Sequence, residues 1–436
     1  MRYPICFLIL VAPFSFLSAQ EKIRTYYDNE QSALMEEYFV VQKDTVVLEG
    51  PYKKFSPSGQ VIVTGTYLDG MREGEFLNLY ENGITQRKTN YQSGLRQGTT
   101  EVFDQKGNLI QEVQFRNDSL IGELVTYFPS GKIKNTSAFK NGKPDGLVKE
   151  YFPSGVLKEE VNYKNGKQHG LNITYYESGL PKSKINYTYG VIDGIMISYY
   201  PNGQMDTKAT QSNHSLHGDY VKYYSNGQIK MQGQYENGMR NGEFKSYYED
   251  GSLEKKLNIV DDKMSGANFT YYPDGELKIK ANYSNEEKNW TAEEYNRSGK
   301  LIATRQYKND FKEGTWRYFN SKGDLVIKEN YELGKLEGKR TEYDEKGHIT
   351  KEENYQKDKK HGVATVYFSN GKKAEEINYK FDRLDGEYKK YHKSQDSEIT
   401  GHYTRNEKNG EWIYYDKKGE IMKKEIYKFG RLVSIK

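Results

Sequence analysis

Short runs in which apolar and polar residues alternate recur along this chain with a fixed step of 24 residues. Stepping by 24 from Gly50 passes through Gly74, Gly98, Gly122, Gly146, Gly170, Gly194, Gly218, Gly242 and Gly266, then Trp290, then Gly314, Gly338, Gly362, Gly386 and Gly410. We number repeat positions from this glycine. Position 6 is aromatic from Phe55 and Phe103 through Tyr127, Tyr223 and Tyr295 to Tyr415, and only Leu79 departs. Position 12 is commonly aliphatic (Leu109, Leu157, Ile229, Leu277), and position 18 is usually aromatic (Tyr67, Tyr163, Tyr235, Tyr331). Alternation over stretches of this length predicts strands with one buried face, two per repeat.

The punctuation between strands is equally regular. Position 10 is Gly from Gly59 to Gly419, with Gln395 the exception, and is often preceded by Asn or Asp, as in Asn82-Gly83, Asn226-Gly227 and Asp250-Gly251. Those dipeptides predict a tight hairpin turn. Position 21 is Gly70, Gly142, Gly238 or Gly334 in some repeats and Asp118, His214, Asp262, Asp310, Asp358, Asp382 or Asn406 in others, with Glu286 the awkward member. These types tolerate a left-handed backbone, which predicts a second, slightly longer turn.

One two-stranded hairpin is marginal in water, so the units are expected to pair edge to edge and fold collectively. The predicted fold is all-β: an elongated antiparallel β-meander of about sixteen 24-residue hairpin repeats in a single-layer twisted sheet. The expected division is a signal peptide over 1–19, an N-terminal cap hairpin over 20–49, tandem repeats over 50–430 and a C-terminal tail over 431–436. In the cap, Glu37 to Gln42 and Thr45 to Leu48 are expected to pair around Lys43-Asp44.

Composition narrows the function. Hydrophobic residues make up only 35% of the chain while Tyr numbers 40, so Tyr rings are expected to supply much of the core with their hydroxyls left wet. The 65 basic and 61 acidic residues are interleaved to a net +4, a poor match to nucleic acid. The apolar run from Ile5 to Leu17, followed by Ser18-Ala19-Gln20, has the layout of a secretory signal peptide, which points to the periplasm, the cell envelope or the exterior. Nothing later reaches the roughly 20 apolar residues of a transmembrane helix. The single cysteine, Cys6, lies in the leader, so no disulfide or thiolate site is expected after cleavage.

The unit Gly-x-x-x-x-Tyr-(Tyr/Phe)-x-x-Gly-x-(Leu/Ile), seen in Gly146-Leu147-Val148-Lys149-Glu150-Tyr151-Phe152-Pro153-Ser154-Gly155-Val156-Leu157 and again from Gly218 to Ile229, resembles the MORN-repeat family. It is most similar to the bacterial MORN-variant proteins labelled YwqK-family antitoxins. The resemblance implies an antiparallel meander that binds proteins, in some members membrane lipid, and no enzyme. The antitoxin label further implies neutralisation of a toxin.

Gly-Lys pairs such as Gly142-Lys143 and Gly334-Lys335 fall at turn positions and do not continue as a phosphate-binding loop. His214 and His217 lack a carboxylate at ligand spacing, the acidic turns lack a calcium ladder, and no Gly-x-Ser-x-Gly elbow is present. No cofactor is expected. A protein partner is the leading expectation, with a glycan or a membrane surface as the other candidates. The second aromatics, Phe128, Phe152, Tyr176, Tyr200, Tyr224, Tyr248 and Tyr272, alternate onto the opposite face of a regular strand and form the candidate binding face. Gln211, Glu286, Trp290 and Gln395 break the repeat and mark places where function can override local rules.

Overall fold

The computed structural model describes residues 20–284 and 286–436, so the expected signal peptide over 1–19 lies outside the described residues. The described residues form strands and turns without a helix. The chain divides after Gln204 into two units, in each of which successive arms of the meander pair antiparallel, some arms being split into a two-residue and a longer strand that share one partner.

The first unit opens with β1 (Glu21–Tyr26), β2 (Leu34–Gln42) and β3 (Val46–Phe55). Gln42 faces Val46 across the Lys43-Asp44-Thr45 turn, as the alternation predicts, and β1 adds a further strand against β2. At the other end, residues 431–436, expected as a tail, contribute a strand over Arg431–Ile435 that pairs with Ile421–Lys428.

Within a repeat, position 1 faces position 18 and position 3 faces position 16, as in Gly218 with Tyr235 and Tyr220 with Gly233. The two turns have the opposite sizes from those expected. Positions 7 to 11 form the longer one: Tyr224 N–H donates to Gln228 C=O at 2.8 Å, Gly227 N–H to Tyr224 C=O at 2.9 Å, and Gly227 has φ +89°. Asn226 turns its side chain back to the Gln228 N–H at 2.9 Å, and the same backbone bonds close the loop from Phe152 to Val156, where Ser154 replaces Asn. The two-residue turn is at positions 20 and 21, where both residues are left-handed: Asn117 and Asp118 have φ +47° and +64°, Asp261 and Asp262 +49° and +66°. That is the mirror-image turn whose twist matches antiparallel strands. Gln395, at position 10, keeps the left-handed conformation of the glycines it replaces, with φ +90°.

The glycine at position 1 makes a bulge. Gln232 pairs with Lys245 but Gln234 pairs with Asn241, a slip of two residues around Gly242, whose φ is +89°. Trp290 removes it. Pairing runs without a slip from Ile279 with Glu294 to Ser284 with Asn289, and the two residues no longer in a bulge pass into the tip, where Glu286 and Glu287 have φ +54° and +72°. The indole instead stacks on Tyr307, with ring centroids 3.9 Å apart and planes 12° apart, and on Tyr283 at 5.6 Å.

Full burial falls mainly on positions 3 and 16, not on the tyrosine columns. Phe76, Phe244, Trp316 and Trp412 occupy position 3, and Val113, Val161, Ala209 and Ala281 position 16. Among the described residues no tyrosine is fully buried. The phenol of a position 18 ring needs water or a partner, so the ring lies edge-on against the position 3 side chain, as Tyr235 does on Phe244 (5.6 Å, 83°), with its tip outward.

Candidate functional site

The seven second aromatics of the candidate binding face stand at the first position of the longer turn. All are half-buried. Position 7 is not the next residue of a regular strand; it opens the longer turn, and this tips the side chain toward the following repeat. There its hydroxyl donates to the backbone carbonyl of the next position 6: Tyr176 to Tyr199 at 2.7 Å in the first unit, and Tyr224 to Tyr247, Tyr248 to Tyr271 and Tyr272 to Tyr295 at 2.8, 2.8 and 3.0 Å in the second. A lysine from position 13 lies over several of these rings, as Lys230 does over Tyr224 at 5.2 Å. Phe128 and Phe152 hold the same position without a hydroxyl, and Tyr200 begins its turn by donating its N–H to Gln204 C=O at 2.8 Å.

Position 6 forms a second set of rungs on the polar face. Its hydroxyl donates to the glutamate at position 15 of the preceding repeat, as in Tyr175 to Glu160 (3.0 Å), Tyr367 to Glu352 (2.9 Å) and Tyr391 to Glu376 (2.5 Å). Burial, and then the neighbouring carboxylate, push the Tyr367 and Tyr391 phenols up to about 12. Lys–Glu pairs such as Lys256–Glu243 and Lys280–Glu293 cover the rest of this face.

The repeat breakers are dispersed. Gln211 sits half-buried opposite Leu216, Trp290 and Glu286 belong to the straightened hairpin, and Gln395 donates through Nε2 to Lys373 C=O at 3.1 Å. In the repeats beginning at Gly314 and Gly338 the core columns carry charge instead. Arg340, at position 3, donates to Glu329 at 3.0 Å and Glu353 at 3.3 Å, and also bonds Glu342. Glu353 receives Lys360 and Lys351 at 2.7 and 2.9 Å. Among the described residues no three His, Cys, Asp or Glu side chains stand together as a metal site.

A feature invisible to column counting is the construction of the hairpin tips. The carboxylate or amide at position 21 accepts the backbone N–H of position 23 in the preceding repeat: Asp118 from Arg96, Asp358 from Leu336, Asp382 from Lys360 and Asn406 from Leu384, at 2.7–2.8 Å. The position 24 side chain of the preceding repeat accepts the position 20 N–H, as Glu337 does from Lys357 at 2.9 Å. At His169 and His361, also at position 24, the ring packs on an aromatic tip instead, Tyr189 and Phe381, both at 4.6 Å, whereas His217 accepts the Asn237 N–H at 3.4 Å. The tips are thus bonded repeat to repeat, and several project large apolar side chains: Phe311, Leu333, Phe381 and Phe429 are 53%, 70%, 47% and 64% exposed.

A family with this glycine-and-aromatic hairpin register is matched by sequence. Nine of the repeats match the MORN repeat variant. The matched segments are residues 48–69, 96–117, 144–165, 192–213, 216–237, 240–261, 264–285, 336–357 and 360–381. The matched segments run from position 23 of one repeat, two residues before a bulge glycine, to position 20 of the next, as Pro144 to Asn165 illustrate. No curated protein matches the chain. Among solved structures, TcdB2-TccC3 without its hypervariable C-terminal region aligns over 93% of this chain and 26% of that one, at 11% identity and a TM-score of 0.16. The Photorhabdus luminescens Tc holotoxin pore aligns over 90% of this chain and 30% of that one, at 10% identity and a TM-score of 0.12. The chain thus spans about a quarter to a third of the length of these structures.

Proposed function

We propose that this chain is an exported, non-catalytic MORN-variant scaffold that binds a protein partner through side chains displayed at regular intervals along its hairpin tips. The observation that carries this reading is the contrast between faces and tips. On the faces, phenols, carboxylates and ammonium groups are engaged with one another. Large apolar side chains are left in water at tips whose backbone is bonded from repeat to repeat, 70% exposed at Leu333 and 64% at Phe429, against 38–44% for the face residues Leu171, Ile195 and Val363. Repetition suits this role, because each repeat offers one more contact at a fixed step. The engagement of the second aromatics leaves less free ring surface for stacking a glycan, which favours protein over polysaccharide. Kinship with the antitoxin-labelled branch is a finer part of the proposal, since neutralising a toxin is one form of partner binding.

Chemical crosslinking of the native envelope fraction, followed by mass spectrometry, tests this reading. One abundant protein crosslinked in fixed stoichiometry, and rebinding when purified, supports it. Peptidoglycan or polysaccharide as the only attached material overturns it. For the finer part, the neutralised partner must be toxic when expressed alone and harmless when co-expressed with this chain.

A further inference from the structure

At repeat position 20 the backbone is left-handed, and the residues there are mostly those that accept it: Asp69, Ser93, Asn117, Asn165, Asn237 and Asn309 among them. Five successive tips in the second unit break this rule together. They carry Leu333, Lys357, Phe381, Arg405 and Phe429, with φ between +48° and +52°. All five side chains are exposed, and they alternate apolar, cationic, apolar, cationic, apolar. The N–H groups of Leu333, Lys357 and Phe429 are capped by Glu313, Glu337 and Asn409 at 3.2, 2.9 and 3.4 Å, so the strained conformation is held in place. Strained residues that persist in a supported frame point to a use outside the fold.

The surroundings give the sign of the partner. Two residues beyond each tip stand Lys335, Lys359, Arg383 and Arg431 against one acid, Glu407. The tip carboxylates of Asp358 and Asp382 already accept backbone N–H groups. Consecutive tips are separated by two strands, roughly 9.5 Å. A helix advances roughly 10.5 Å per seven residues, so successive tips meet successive heptads of a helix laid along them.

We propose that this row of tips is the docking ridge for an acidic amphipathic helix of a partner protein. Leu333, Phe381 and Phe429 pack on apolar residues of alternate heptads, and Lys357 and Arg405 pair with carboxylates of the heptads between. The proposal deepens the scaffold reading and rests on it. A fluid anionic bilayer rewards cations and aromatic rings in any order; alternation at a fixed step rewards a partner that has a period of its own.

The test uses the mature chain and a synthetic helical peptide of about five heptads, carrying leucine and glutamate on one stripe in alternate heptads. The comparison ligands are a scrambled peptide, a version with lysine for glutamate, and vesicles of phosphatidylcholine with phosphatidylserine. Fluorescence anisotropy near physiological salt is expected to show the patterned peptide bound at least tenfold more tightly than the scrambled one. The triple variant Leu333→Asn, Phe381→Asn, Phe429→Asn is expected to lose at least tenfold in affinity while its melting temperature holds or rises, because Asn is at ease in this conformation. The pair Lys357→Glu, Arg405→Glu is expected to reverse the preference toward the lysine peptide. Equal binding of patterned and scrambled peptides, unchanged binding by the triple variant, or binding to vesicles but not to the patterned peptide overturns the proposal. If the triple variant still retains the crosslinked partner, the ridge is wrong and the scaffold reading stands. If no protein partner exists, both fall.

Discussion

The ring of Phe244 fills the space where a side chain on Gly233 would stand: a Cβ built there would lie 2.5 Å from Phe244 Cδ1. Gly233 is at position 16 of one repeat and Phe244 at position 3 of the next, so the pair is a large-to-small fit across a repeat boundary. The same exchange occurs between Gly65 and Phe76 and between Gly401 and Trp412. Where the facing position 3 carries no ring, position 16 carries a side chain instead, as Thr89 does opposite Thr100 and Val113 opposite Leu124. In the three glycine pairs the fit of large to small keeps the packing dense.

The fit predicts a coupled effect. Gly233→Ala forces Phe244 to move and is expected to destabilise the second unit by about 1–3 kcal/mol. Phe244→Leu costs a similar amount alone through lost packing. Combined, the two should cost less than their sum, because the smaller side chain makes room for the new methyl. Urea unfolding of the wild type, both single variants and the double variant measures this. Strict additivity would mean that the contact is not the source of the cost.

Asp382 serves two ends: it accepts a φ of +64° and its Oδ1 takes the Lys360 N–H at 2.8 Å. Asp382→Ala loses both and is expected to cost about 1–3 kcal/mol. Asp382→Gly keeps the conformation and loses only the acceptor, so it should fall between alanine and wild type. Hydrogen exchange at the Lys360 amide, faster in both variants, locates the effect.

The hydroxyls of Tyr224 and Tyr248 each carry one bond to the neighbouring repeat. Phenylalanine at either position should lower stability by about 1 kcal/mol, and alanine by clearly more through the lost ring. A phenylalanine variant as stable as wild type would return these aromatics to the list of candidate ligand contacts.

How far the fold could be read in advance follows from where the information lies. Gly at position 1 and Gly, Asp or Asn at position 21 are backbone demands written directly in residue type. They gave the period, the strands and the left-handed turns. Which turn is the tight one is not written in the Asn-Gly column, because Ser154-Gly155 and Asn226-Gly227 close the same longer loop. The core was harder to find, because positions 3 and 16 hold Phe, Trp, Ala, Gly, Thr and even Arg340 and Glu353. Columns that hold so many residue types show no consistent letter. Trp290 was legible as a break, but not as the exchange of a bulge for a longer tip. The candidate face at position 7 rested on strand alternation continuing there, whereas position 7 opens the longer turn and Tyr176, Tyr224, Tyr248 and Tyr272 bond the next repeat.

Glu353 ties the array to pH. Its side chain is only 3% exposed. Burial by itself would raise its carboxyl, but hydrogen bonds from Lys360 and Lys351 outweigh it and hold the group at about 2, against an ordinary 4.5. A carboxyl whose folded value lies below its unfolded one stabilises in full above the unfolded value, and that contribution fades as pH falls from 4.5 toward 2. The shift sets an upper bound of about 3 kcal/mol on the pH-dependent part. Glu353→Gln is therefore expected to be less stable than wild type at pH 7, because Arg340, Lys351 and Lys360 lose their shared anion. The gap should close progressively below pH 4.5, as the wild type loses what the variant never had. Many other carboxylates titrate in the same range, so the readout is the difference between the two unfolding midpoints at each pH, not either curve alone. A gap that stays constant from pH 7 to pH 3 would show that Glu353 contributes through packing instead of charge.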